Sequence, residues 1–82
     1  MQVIVTPEAQ KQFNKLPRQT QAKIRKKLLL LEKDFLMGKK LEGELSNYRS
    51  VRAWPYRIIY FIEKSHSKVY VVSVAHRQGA YK

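Results

Sequence analysis

Apolar residues recur at helical spacing through the first half of the chain, and the first such stretch follows a helix start signal. Residues 6–8 read Thr-Pro-Glu. Threonine is a good N-cap, proline fits the first helical turn, and a carboxylate there complements the helix dipole. Ala9, Phe13 and Leu16 then mark one face, and Pro17 ends the segment. This pattern predicts a first helix that starts at about residue 7.

A second helix is predicted over residues 18–35, because apolar side chains again repeat on one face. They lie at positions i, i+4, i+7 and i+11, namely Ile24, Leu28, Leu31 and Phe35. Leu29 and Leu30 widen this stripe. A wide stripe is typical of a helix that lies between a sheet and another helix.

The second half of the chain changes to runs of β-branched and aromatic residues. Residues 48–53, 56–63 and 69–75 are predicted strands, and residues 1–5 form a further β-prone run. Short links between the last three strands require antiparallel pairing. The sequence therefore predicts one α+β domain over residues 1–82. Two N-terminal helices should pack on one face of a mainly antiparallel, about four-stranded sheet.

Charge narrows the possible partners. The chain contains seventeen basic and six acidic residues, which gives a net charge of +11. Such a field attracts polyanions through salt-sensitive phosphate contacts, so the partner is a nucleic acid, an acidic protein or an anionic membrane surface. Lysines dominate the helical half, whereas four of the six arginines lie in the second half.

Several function classes are excluded or disfavoured by composition. The chain has no cysteine, which rules out disulfides, thiolate metal sites and a cysteine nucleophile. No apolar run approaches the roughly 20 residues that span a bilayer, and the first residues lack signal-peptide features. We expect a cytoplasmic protein that does not associate with membranes.

Three arginines within nine positions, Arg49, Arg52 and Arg57, lie among aromatic and β-branched residues. A guanidinium group is a planar fork of donors that suits phosphate oxygens, and it is costly to bury unpaired. One interpretation is a phosphate-binding groove. The other is an ordinary sheet in which these arginines pair with nearby acids: Glu42, Glu44 and Glu63.

Pairing of the last two strands would bring distant residues together. The end of the strand over residues 69–75 should lie beside the start of the strand over residues 56–63. Arg57, Arg77 and Arg52 would then converge at one edge of the sheet, with Tyr81 and His76 nearby. The prediction is a cationic pocket with an aromatic face and a titratable ring.

Three segments in this order resemble the RelE/ParE superfamily of toxins from type II toxin–antitoxin systems. They are VIVTPEAQKQFNKLP, KKLEGELSNYRSVRAWPYRIIYFI and VVSVAHRQGAYK. The resemblance implies a RelE-like fold and, on the RelE branch, a ribosome-dependent endoribonuclease. Such an enzyme cuts mRNA in the decoding site with no metal or other cofactor. It also implies a hetero-oligomer in which an acidic antitoxin wraps the toxin. Trp54 would be an apolar contact for this antitoxin or a core residue that caps the turn.

The resemblance also implies roles for individual residues. Attack of the ribose 2′-OH on the adjacent phosphate needs fixed positive charge, which Arg57 and Arg77 would supply. Arginine stays protonated, so His76 and Tyr81 are the candidates for proton transfer, and Tyr81 has the alternative role of stacking on a base. Arg52, and less securely Arg49, match the basic residues of the preceding strand. We further expect Arg49 and Lys82 to contact RNA.

Two other functions compete with the ribonuclease. The superfamily includes ParE-like inhibitors of DNA gyrase that are not nucleases, and a basic nucleic-acid-binding domain without catalysis is a third class. The presence of Tyr81 together with Arg57 and Arg77 favours the ribonuclease branch.

Overall fold

The computed structural model describes residues 1–43 and 47–76, and in this part of the chain two helices lie against one five-stranded sheet. In chain order the elements are β1 (Gln2–Val5), α1 (Pro7–Asn14), α2 (Arg18–Lys33), β2 (Lys39–Lys40), β3 (Tyr48–Ala53), β4 (Tyr56–Glu63), a 3₁₀ turn (Lys64–His66) and β5 (Lys68–His76).

The strand order across the sheet is β1-β5-β4-β3-β2. β1 runs parallel to β5, and the other three pairs are antiparallel. The predicted α+β class, the helices on one face and the mainly antiparallel sheet are confirmed. The expected strand number is one too low, because the two-residue β2 pairs with β3 at the edge of the sheet. Two residues are too few to show an alternating pattern in sequence.

The helix start signals act as predicted. The Thr6 hydroxyl accepts a hydrogen bond from the Ala9 amide at 3.3 Å, and Pro7 occupies the first turn of α1. α2 ends at Lys33, two residues before Phe35, the last residue of the predicted helix. Phe35 still packs against the core from the connection that follows.

The expected width of the α2 stripe is wrong. Ile24 and Leu31 are fully buried and Leu28 is half-buried, but Leu29 and Leu30 are 61% and 48% exposed. α2 contacts β3 and β1 on one side. Within the described residues no second helical layer covers its other side, so only a narrow stripe is buried.

The turn between β3 and β4 carries Trp54, whose exposed fraction is 54%. The alternative that this tryptophan belongs to the core is therefore wrong. Neither α1 nor α2, the helices of the described segments, has the length and apolar character needed to cross a membrane.

The side chain of Tyr60 connects the centre of the sheet to the segment before β2 through two hydrogen bonds. Tyr60 is fully buried, and its hydroxyl accepts from the Gly38 amide at 3.0 Å and donates to the Phe35 carbonyl at 2.8 Å. A Cβ on residue 38 would lie 2.6 Å from the Tyr60 hydroxyl oxygen, so only glycine fits there. This contact fixes the position of β2 against β3.

Candidate functional site

Arg52 of β3 and Arg57 of β4 lie directly opposite each other in the antiparallel register. Side chains alternate between the faces of a sheet, and the neighbouring residues Val51, Ala53 and Ile58 are the buried ones. The two arginines therefore share the face that points away from the helices. Like charges directly opposite each other destabilise a strand pair, and an anion between them would remove this repulsion.

A cleft of about 860 Å³ opens beside the arginine pair, within the size range of ligand pockets. Five of its lining residues are basic and one is acidic. The complete lining is Lys27, Met37, Lys39, Lys40, Leu41, Glu42, Ser50, Val51, Arg52 and Arg57. We call this cavity the cationic cleft. Its charge favours an anionic ligand such as a phosphate group.

The alternative in which the arginines pair with nearby acids is not what the structure shows for Arg52. Its side chain is exposed and makes no salt bridge or hydrogen bond within residues 1–43 and 47–76. Glu63 instead contacts His66 in the 3₁₀ turn. Glu42 lines the cationic cleft, and Glu44 lies outside the described residues. Arg52 is thus available to an anion in the cleft.

Arg49 lies on the opposite face of the sheet from Arg52, because an interval of three residues reverses the direction of a strand side chain. Its Nη1 donates a hydrogen bond to the Gly38 carbonyl at 2.9 Å. Arg49 therefore helps to hold the segment before β2. The idea that Arg49 contacts RNA stays a prediction, and the structure gives the side chain a stabilising contact.

His76 ends β5 opposite Tyr56, the first residue of β4, so the expected meeting of the two strand ends is observed. Their ring centroids are 5.6 Å apart in an edge-on arrangement. Arg57 is paired with Ala75, one position earlier in β5. His76 thus shares a sheet face with Tyr56, on the opposite side from the Arg52–Arg57 pair. The two strand ends therefore meet as predicted, but strand alternation places His76 and the arginine pair on different faces.

The remaining predicted residues, Arg77, Tyr81 and Lys82, lie outside the described residues. The convergence of Arg77 and Tyr81 with Arg57 stays a prediction, as does the contact of Lys82 with RNA. In the described part of the chain, no group of three or more His, Cys, Asp or Glu side chains forms a potential metal site.

Ser50 is a candidate site residue that the sequence pattern did not predict. It lines the cationic cleft, is 8% exposed and lies opposite Lys39 of β2 and Ile59 of β4. The available signal was its spacing of two residues from Arg52, which places both on one face. That signal is weak, because any residue two positions from Arg52 in the strand would share its face.

Comparison with known proteins identifies the family. The family described as "ParE toxin of type II toxin-antitoxin system, parDE" matches residues 3–81. The protein named Toxin RelE from Mycobacterium tuberculosis is 28% identical over 82 residues, which cover 98% of this chain and 84% of the relative.

Solved structures agree with this assignment. The toxin–antitoxin complex RelBE2 from Mycobacterium tuberculosis contains a chain that is 32% identical, with a TM-score of 0.85 and coverage of 93% of this chain and 96% of that one. The isolated E. coli RelE toxin has a TM-score of 0.81 at 22% identity, with coverage of 92% and 82%, and shows the shared fold. Since the family match spans nearly the whole chain and the fold agrees, this protein belongs to the RelE/ParE superfamily of toxins from type II toxin–antitoxin systems.

Proposed function

We propose that this toxin is a ribosome-dependent endoribonuclease that cleaves mRNA in the decoding site and thereby inhibits translation. The observation that carries the proposal is the facing Arg52–Arg57 pair at the wall of the cationic cleft. The two arginines occupy directly opposite positions of the strand pair, where like charges repel each other. They supply preorganised donors for a phosphate whose negative charge grows during reaction.

The chemistry that fits these residues is transesterification within the RNA chain. The ribose 2′-oxygen attacks the adjacent phosphorus, the bond to the 5′-oxygen breaks, and the products are a 2′,3′-cyclic phosphate and a 5′-hydroxyl. Arg52 and Arg57, with Arg77 as predicted from sequence, would stabilise the negative charge on the phosphate oxygens. We propose no metal and no other cofactor for this step.

Two proton transfers complete the reaction, one from the 2′-hydroxyl and one to the leaving 5′-oxygen. Arginine is a poor base because it stays protonated. His76 lies on the opposite sheet face from Arg57, which favours Tyr81 among the two candidates. The alternative role of Tyr81 is to stack on a base and hold the attacking geometry.

The proposed partner in the resting cell is an antitoxin with an acidic or amphipathic segment that wraps this toxin in a hetero-oligomer. The net charge of +11 supports an acidic partner. The 32% identical chain comes from a toxin–antitoxin complex. Trp54, exposed in the β3–β4 turn, is a candidate apolar contact for such a segment. Both partners would act in the cytoplasm.

A second candidate function is inhibition of DNA gyrase without any nuclease activity. The observation that favours it is the description of the matching family as ParE toxins. A basic nucleic-acid-binding domain without catalysis is a weaker alternative, supported only by the charge.

The decisive experiment compares two assays on the same purified toxin. In one, ribosomes programmed with a defined mRNA are incubated with the protein and the new RNA ends are mapped. In the other, gyrase supercoiling of plasmid DNA is followed. We expect cleavage of ribosome-bound mRNA and no effect on gyrase. Gyrase inhibition without RNA cleavage would establish the second candidate.

Site variants connect the activity to the cleft. Arg57→Ala and Arg77→Ala should each lower cleavage on the order of 10²–10³-fold, as for loss of one preorganised donor. Arg18→Ala is a matched control, since Arg18 is an exposed arginine at the start of α2 that does not line the cleft. Normal cleavage by both site variants would rule out the ribonuclease proposal.

A further inference from the structure

Ser50 has a buried polar atom that the proposed chemistry does not use. The side-chain oxygen is shielded from solvent and has no hydrogen-bond partner within residues 1–43 and 47–76. A buried hydroxyl without a partner is unfavourable, because the water it lost on folding is not replaced. Its location in the wall of the cationic cleft suggests that the missing partner is a ligand.

The surroundings of Ser50 restrict the chemistry of that ligand. On the same sheet face, Arg52 lies two positions along β3, Lys39 lies opposite on β2, and Arg57 is diagonal on β4. All three neighbours only donate hydrogen bonds, whereas a serine hydroxyl both donates and accepts. An anion with several acceptor oxygens would take donors from all four side chains at once. A phosphodiester oxygen has this character.

The position of Lys39 is fixed by the structure around it. The preceding residue, Gly38, donates to the Tyr60 hydroxyl at 3.0 Å and accepts from Arg49 Nη1 at 2.9 Å. The backbone of β2 then pairs with β3 so that Lys39 faces Ser50. The backbone that carries Lys39 is therefore already in place, which lowers the conformational entropy that β2 loses when the subsite binds an anion.

We propose that Ser50 and Lys39 form a phosphate-binding subsite of the cationic cleft, in which the Ser50 hydroxyl donates a hydrogen bond to an RNA phosphate oxygen. Entry of the phosphate draws the flexible cationic side chains toward it and uncovers the hydroxyl. The inference deepens the proposed ribonuclease function, since it names the contact that places the phosphate between β2 and the Arg52–Arg57 pair.

Binding of inorganic phosphate tests the subsite without any need for the ribosome. The full-length toxin is titrated with phosphate at constant ionic strength, and the dissociation constant is obtained from the rise in melting temperature. Ser50→Ala should weaken binding by about 10- to 100-fold, the effect of losing one hydrogen bond to a charged group. Lys39→Gln should also weaken binding and reduce its salt dependence.

Ser73→Ala is the matched control. Ser73 of β5 lies opposite Ile59 of β4, and Ile59 in turn lies opposite Ser50 of β3. Ser73 does not line the cleft. This variant should bind phosphate as the wild type does. Thermal stability without phosphate distinguishes a ligand contact from a structural one. Ser50→Ala should be as stable as the wild type or more stable, since it removes an unsatisfied buried group.

Cleavage of ribosome-bound mRNA by the same variants separates the two proposals. We expect Ser50→Ala to cleave about 10- to 100-fold more slowly and Ser73→Ala to cleave normally. If the wild type cleaves no RNA but binds phosphate through Ser50, the ribonuclease proposal fails and the subsite stands. Three results would overturn the subsite: no phosphate binding by the wild type, unchanged binding by Ser50→Ala, or a Ser50→Ala protein that is clearly destabilised.

Discussion

The buried hydroxyl of Tyr60 accepts a hydrogen bond from the amide of Gly38 at 3.0 Å, across 22 residues of sequence. The same hydroxyl donates to the Phe35 carbonyl at 2.8 Å. It thereby connects the central strand β4 to the segment that leads from α2 into β2. Since β2 contributes Lys39 and Lys40 to the cationic cleft, this one contact connects the core of the protein to the rim of that cleft.

Tyr60→Phe should lower the free energy of unfolding by about 1–3 kcal/mol, because the Gly38 amide and the Phe35 carbonyl both lose their side-chain partner. Urea denaturation of the purified variant measures this loss. Tyr70→Phe is the control, since the Tyr70 ring stacks on Phe61 and is only half-buried. Equal stability of the two variants would contradict a role for the Tyr60 hydroxyl.

Alkaline pH should destabilise the protein through the same residue. Burial raises the pKa of Tyr60 above its usual value, against smaller opposing effects of the Gly38 amide and the Arg49 charge. The folded state therefore holds the phenol proton more tightly than the unfolded state does. Its contribution to stability is complete below about pH 10 and is lost as pH rises through the folded-state pKa.

The measurement is the urea midpoint of the wild type and of Tyr60→Phe between about pH 9 and pH 11. Lysine titration is common to both proteins, so the difference between the two curves isolates Tyr60. The wild type should lose more stability than the variant over this range. Parallel curves would contradict the assigned pKa direction.

Arg52→Gln should separate stability from activity. Removal of one of two facing positive charges should leave the free energy of unfolding unchanged or raise it by up to about 1 kcal/mol. Cleavage of ribosome-bound mRNA should fall on the order of 10²–10³-fold. Arg18→Gln serves as the control for a general loss of charge. A variant that loses stability and activity together would show that Arg52 is structural.

The two sides of α2 should respond oppositely to truncation. Leu31→Ala should lower the free energy of unfolding by about 2–5 kcal/mol, because Leu31 is fully buried. Leu29→Ala should change it by less than about 0.5 kcal/mol, because Leu29 is 61% exposed. Chemical denaturation checks both values. A large loss in Leu29→Ala would contradict the observed placement of the helix.

Tyr81→Phe should distinguish the two roles predicted for this residue. A proton-transfer role requires the hydroxyl, so its removal should slow cleavage about 10²–10⁴-fold. A stacking role requires only the ring, and cleavage would then stay near normal. Single-turnover rates on programmed ribosomes decide between them. Tyr81→Ala should be impaired in either case, and normal cleavage by that variant would remove Tyr81 from the site.

The sequence by itself determined the elements with strong local signals. The bounds of β3 and β4 were predicted to the residue, because β-branched and aromatic runs stop at the Trp54-Pro55 turn. The start of α1 followed from Thr6 and Pro7, whose capping chemistry acts within one turn. The same local signals placed Arg52 before that turn and Arg57 after it.

Only the tertiary structure decided which side chains share a face and which elements cover them. Arg49 and His76 are close to the arginine pair in sequence or register, yet strand alternation turns both to the opposite face. β2 exists because Tyr60 and Arg49 hold Gly38 beside β3, which no local pattern encodes. Leu29 and Leu30 stay exposed for a related reason, since burial depends on the neighbouring layer and not on the apolar stripe of the helix itself.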